Sequence, residues 1–247
     1  KSLMKQVRVI AQTEEYIVID KPCGLLSHPS NDLTQPSVAM WATLHDKRIA
    51  KVGEHEYRSG IVHRLDKQAS GLMVIARTQE MFTHLKAQFQ ERLVEKHYVV
   101  LVHGHIEKDQ DELTFRIDRG KDGKMVARPI VAEVTLKTIP HIQEGKEAKT
   151  EFTVMERFRN YTLLDVRIHS GRTHQIRVHM HAYTHPVVGD PLYVQKQFVA
   201  KSAPTPPRLF LHATSLAFTD LLATRQEYHS DLPQELSDFL PKLAGSV

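Results

Sequence analysis

Val7 to Ala11 and Tyr16 to Asp20 are short runs rich in β-branched or aromatic residues and bounded by polar ones, so they predict two neighbouring strands. Lys21-Pro22-Cys23-Gly24 closes the second. Proline offers a sheet no donor and glycine accepts backbone angles other residues avoid, so a tight exit loop is expected. Val38, Trp41 and Leu44 recur at helical spacing after Pro36-Ser37, which predicts a short helix carrying the sole tryptophan into the core. Gly71 to Ala76 is a continuous apolar run of strand length. The clearest helix follows, with Thr78 as N-cap and Met81, Leu85 and Phe89 at intervals of four.

Strand patterns then dominate: His97 to His103, Leu113 to Ile117, Ile130 to Leu136, Thr150 to Met155 and Leu163 to Ile168, with polar loops at Asp118 to Lys124 and His141 to Lys149. After Gly171 the period changes. Ile176, Met180 and Tyr183 predict a helix that Pro186 stops. The proline-rich stretch Lys201 to Pro207 reads as a stiff surface loop, Leu209 to Phe218 as a strand, and a last helix is expected near Asp231-Leu232-Pro233. Several strands follow one another without an intervening helix, so the expected class is α+β, with a mixed, mainly antiparallel sheet flanked by helices and loops.

Composition narrows this little. The 247 residues are 41% hydrophobic and 25% charged, ordinary for a folded chain, and residues 1–247 are expected to form one catalytic domain. Lys and Arg outnumber Asp and Glu by 33 to 29, so attraction to a polyanion has to come from local clustering. The lone Cys23 supports neither an internal disulfide nor a multi-thiolate metal site and is expected to be a small buried thiol. Lys1 to Ala11 lacks the apolar stretch of a signal peptide or membrane span, and the cytoplasm is the expected compartment.

Two segments are polar where the fold asks for nothing polar. His63-Arg64-Leu65-Asp66-Lys67-Gln68-Ala69-Ser70-Gly71 lies between apolar runs and ends on the glycine that opens a strand. A loop so anchored holds side chains on a rigid frame, as catalysis requires; Asp66 reads equally well as a reactive carboxylate or as a turn cap. The second segment, Arg167 to His181, holds Arg167, Arg172 and Arg177 and four histidines with no acid among them. A helix starting near Thr173 would put His174, Arg177, Val178 and His181 on one face, to meet phosphate or a buried carboxylate. A solvated helix side and a histidine metal site are the competing readings, the latter ranked low for want of an acid or thiolate to complete a shell.

These residues carry a resemblance. His63-Arg64-Leu65-Asp66 closing on Ser70-Gly71, then Gly171-Arg172-Thr173-His174-Gln175-Ile176-Arg177, then Gly189-Asp190-Pro191-Leu192-Tyr193, closely resemble the RluA family of RNA pseudouridine synthases. Lys21-Pro22-Cys23-Gly24, Lys96-His97-Tyr98 and Leu211-His212-Ala213 resemble further markers in the family's order, so that the match runs from about Tyr16 to Phe218. It departs from the family at Ala69 and Ser170, where threonine is usual. A member without the small N-terminal S4 module is implied, because about fifteen residues precede the match.

The resemblance implies isomerisation of uridine to pseudouridine in rRNA or tRNA after base flipping, without cofactor or metal, by a monomer with structured RNA as partner and no membrane. It assigns Asp66 as the catalytic aspartate, Tyr98 as the ring against the target base and Arg177 as the basic partner of the aspartate. Arg64 is expected to fill the space the base vacates, and His63, Arg172, His174 and Gln175 to contact RNA backbone or neighbouring bases. A binding protein that kept the scaffold, and a metal-dependent phosphodiesterase built on the histidine-rich helix, are the alternatives.

Overall fold

The structure, a computed structural model, describes residues 3–29, 34–120, 122–128, 145–198 and 204–244. Side-chain hydroxyls open the first two helices: Ser37 Oγ accepts the Met40 N–H at the start of α1 (Val38–His45), and Thr78 Oγ1 accepts that of Met81 at the start of α2 (Gln79–Gln90). The chain gathers into two compact units, residues Lys1–His97 with His212–Asp231, and Tyr98–Leu211 with Leu232–Val247.

In the first unit β1 (Arg8–Gln12), β2 (Tyr16–Lys21) and β3 (Ser70–Ala76) pair antiparallel. β3 then runs parallel to β10 (Leu211–Thr219), which pairs antiparallel with β11 (Arg225–His229). Both β2 and β3 are buried at every position, which is why they read as unbroken apolar runs rather than alternating ones. Met81, Phe82 and Leu85 of α2 lie on Val18, Leu72, Val74, Leu216 and Phe218 and close this core. Trp41 departs from expectation: Val38, Ala39 and Ala42 form the buried face of α1, while the indole stays half-buried and stacks on His45 at 4.7 Å.

β4 (Glu95–His103) leads into the second unit, where β5 (Gln110–Leu113), β8 (Thr150–Arg157) and β9 (Tyr161–Ile168) pair antiparallel. A separate hairpin joins β6 (Arg116–Arg119) to β7 (Met125–Arg128). The single strand expected at Leu113 to Ile117 is therefore two. His179 explains the break: its Nε2 takes the Phe115 carbonyl at 2.8 Å, so that oxygen faces a helix rather than a ladder. That helix, α3, spans Gln175–Ala182. Two short helices, α4 (Gln234–Ser237) and α5 (Pro241–Ala244), bring Leu236 and Leu243 onto Leu101, Tyr161 and Phe210. The strand expected at Ile130 to Leu136 lies outside the described residues. Within each unit the pairings bear out a mixed, mainly antiparallel α+β fold. Among the described residues no helix is long and apolar enough to cross a membrane.

Candidate active site

The polar loop of the first unit is gripped at both ends. Gly24, at φ +88°, turns the chain after β2 so that its N–H reaches the Lys67 carbonyl at 2.7 Å. Lys21 is fully buried, and its Nζ donates to the carbonyls of Pro22 (3.0 Å), Leu25 (2.8 Å) and Lys67 (3.3 Å). Ser27 Oγ donates to the Leu65 carbonyl and accepts the Leu65 N–H, at 2.8 and 3.0 Å. Cys23 is half-buried rather than buried, because its Sγ turns to the Gln68 carbonyl at 3.1 Å. The residues on either side of Asp66 are thus held by backbone contacts, and the half-buried Asp66 carbonyl closes a turn by accepting the Ala69 N–H at 3.1 Å. A carboxylate on so fixed a backbone loses little conformational freedom when it acts.

The far end of the loop is fixed differently. A Cβ on Gly71 would stand 2.3 Å from the Ala213 carbonyl oxygen, and its φ of +117° lies where L side chains are strained, so only glycine lets β3 meet β10 here. One residue earlier, Ser70 Oγ lies 2.7 Å from His212 Nδ1. A buried chain continues from His212 Nε2 to Ser230 Oγ (3.2 Å) and from there to Asp20 Oδ2 (2.8 Å), whose carboxylate pairs with Arg8 at 2.6 Å.

His63 faces inward. Its Nε2 accepts the Val74 N–H at 3.0 Å and its ring stacks on Phe89 at 4.6 Å. Burial, aided by the charge of Lys96, lowers its pKa to about 3, so it is a neutral acceptor. Through Nε2 it fastens the loop to β3. Arg64 is exposed and forms no ion pair among the described residues.

In the second unit, Arg177 is 4% exposed and grips Asp190 with two parallel hydrogen bonds, Nε to Oδ2 at 2.7 Å and Nη2 to Oδ1 at 2.8 Å. Burial pushes the Asp190 carboxyl up, but the Arg177 bonds and charge and the N–H groups of Leu192 and Tyr193 outweigh it and hold the pKa below the usual value. The buried carboxylate sought for this helix face is therefore found. Asp190 lies in the segment Gly189 to Tyr193 and is the first acid after the acid-free run ending at His181, a signal present in the sequence.

The guanidinium also lies 5.2 Å over the Tyr193 ring. Tyr193 Oη accepts the Met125 N–H of β7 at 3.2 Å and bonds His174 Nδ1 at 2.9 Å. His174 is the N-cap of α3 in a left-handed conformation, φ 55°, so the helix begins at Gln175 and not near Thr173. Gln175 is buried; its amide donates to Lys149 O and Thr150 Oγ1 and accepts from Ser170 Oγ and the Arg172 N–H. It shapes the Arg172 turn and has no side-chain group left for RNA. Arg172 is half-buried, with Nε on the Glu147 carbonyl at 3.2 Å. Tyr98 is buried on β4. Among the described residues no three potential ligands gather around a metal position, and His179 is engaged by Thr150 and Phe115.

Residues 15–182 match the family model described as RNA pseudouridylate synthase. The chain is 42% identical over 189 residues to an uncharacterized RNA pseudouridine synthase of Aquifex aeolicus, an alignment covering 76% of this chain and 56% of that protein. It is 36% identical over 241 residues to the ribosomal large subunit pseudouridine synthase D of Pseudomonas aeruginosa, covering 93% and 69%. The chain thus spans little more than half the length of the Aquifex relative. A human RNA pseudouridylate synthase domain containing 1 structure shares the fold, with a TM-score of 0.71 at 22% identity over 98% of this chain and 88% of that one. With its aspartate loop and arginine helix inside the matched span, the chain belongs to the RNA pseudouridylate synthase family, of the RluA type that its motifs resemble.

Proposed function

We propose that the protein isomerises uridine to pseudouridine in structured RNA, using the carboxylate of Asp66. The bond between N1 and C1′ breaks, the base turns, and C5 bonds to C1′. Every atom of the uridine is kept and no electron is exchanged with a second substrate, so the chemistry calls for no cofactor. Asp66 acts on the ribose or base as nucleophile or as base, either of which needs it ionised. Tyr98 lies against the uracil ring, and Arg177, oriented by Asp190, supplies the positive charge that favours the ionised Asp66. The uridine leaves its stack to react, at a cost of a few kcal/mol, and Arg64 fills the space it leaves. Arg172 and His174 contact the RNA backbone.

The observation that carries this reading is the loop around Asp66, fastened by Lys21, Gly24 and Ser27 within the span that matches the family. Because relatives are named for the large ribosomal subunit, ribosomal RNA is the proposed substrate, with tRNA the second choice; the enzyme is expected to work as a cytoplasmic monomer. The test is Asp66→Asn. That variant should bind ribosomal RNA and form no pseudouridine by nucleoside mass spectrometry, whereas normal product would overturn the assignment. Chelator should leave the wild-type activity intact.

A further inference from the structure

Among the described residues the first unit buries two lysines, and they are treated in opposite ways. Lys21 places its three donors on three carbonyls. The side chain of Lys96, on β4 and 8% exposed, makes no hydrogen bond and no ion pair among the described residues; its Nζ has only the face of Phe89, 5.5 Å away. Its charge bears on His63, which stacks on the same Phe89 ring, and burial alone lowers the Lys96 pKa to about 8.

The Lys96 stem is buried while its ammonium, held only by a ring face, is left with hydrogen-bonding capacity that no protein group among the described residues takes up. Apolar residues of similar length would serve a purely structural purpose better. Burial is the one cause of the lowered Lys96 pKa, so no carboxylate among the described residues compensates the ammonium. Lys96 also belongs to the alternation of β4 that buries Tyr98, and His63 places it beside the loop that presents Asp66.

We infer that Lys96 is an anion-binding residue of this unit, held unpaired to take a phosphodiester oxygen of RNA next to the Asp66 loop. This rests on the proposed RNA substrate. One ammonium without a nest of N–H groups holds a free phosphate only weakly, whereas a phosphodiester on RNA already docked elsewhere arrives at high effective concentration. Neutralising one phosphate releases the counterions condensed on it, so the contact has a measurable signature in salt.

The experiment compares wild type, Lys96→Met, Lys96→Gln and Lys96→Arg by thermal unfolding without RNA and by binding to total ribosomal RNA across a salt series. The expected result is that at least one neutral variant melts no lower than wild type, binds several-fold more weakly at low salt, and gives a log Kd against log salt slope shallower by about 0.7–0.9. Lys96→Arg should keep the wild-type slope. Unchanged affinity and slope in both neutral variants would overturn the inference, as would a lower melting temperature with an unchanged slope. The binding readout needs no turnover, so absence of pseudouridine from the wild type would remove the proposed function while the inference about Lys96 is still decided by the salt slopes.

Discussion

Ser70 Oγ and His212 Nδ1 stand 2.7 Å apart, joining the end of the polar loop to the strand beside it. Ser230 donates its hydroxyl to Asp20, so it receives the His212 Nε2 proton, which leaves Nδ1 as the acceptor for the Ser70 hydroxyl. His212 is thereby fixed in one tautomer, in a place with no access to water. His212→Ala should lower the unfolding free energy by about 1–3 kcal/mol, the cost of leaving buried partners unsatisfied. It should also reduce kcat more than it raises KM, because the loop loses an anchor and not a substrate contact. Urea unfolding and pseudouridine kinetics check both; wild-type kcat would show that the chain does not position the loop.

Lys21 supports the other end. Lys21→Met removes one donor group from three carbonyls at once, that of Leu25 in a buried bond, so a loss of about 1–3 kcal/mol is expected. The loop should also open locally, and hydrogen exchange of the Gly24 and Leu65 amides reads that directly. Protection equal to wild type at these two amides would show that the lysine is not what holds the turn.

Asp190 and Arg177 form a buried pair whose members depend on each other. Asp190→Ala leaves a guanidinium without its carboxylate and should cost about 3–5 kcal/mol, with turnover falling because Arg177 is no longer aimed. Since the folded-state pKa of Asp190 is depressed, its contribution is complete above the ordinary carboxylate range and is lost as pH falls through the lower folded value. The stability difference between wild type and Asp190→Asn should therefore narrow in acid. A difference that stays constant from neutral pH into acid would show that the carboxylate is not held in its charged form.

Buried strands and the main helices were legible because a continuous apolar run and a four-residue period have few readings: β2, β3 and α2 form where the pattern puts them. Edges were less so. β11 is a polar strand that alternates between exposed and half-buried positions, and short apolar patterns say nothing of it. The break between Leu113 and Arg116 depends on a histidine more than sixty residues away, which no local window contains. Asp66 and Arg177 stood out as polar groups in unexpected places. Gln175 and His63 were equally visible, but their hydrogen bonds turn inward, to Lys149, Thr150 and Val74, and only the fold reveals that direction.

His63 carries a prediction in pH. Its folded-state pKa of about 3 lies well below the ordinary value of 6.5, so the folded protein binds fewer protons than the unfolded chain between the two. Protonation would place a charge next to Lys96 and remove the lone pair that accepts the Val74 N–H. The contribution of His63 is therefore intact above pH 6.5 and declines as pH falls toward 3. Other histidines titrate in the same interval, so the informative quantity is the unfolding free energy of wild type minus that of His63→Gln, followed from pH 7 to pH 4. Glutamine can still accept a hydrogen bond but takes no proton, so the difference should shrink steadily in acid. A flat difference would mean that His63 does not titrate with unfolding, and the loop's attachment to β3 would then be insensitive to acid.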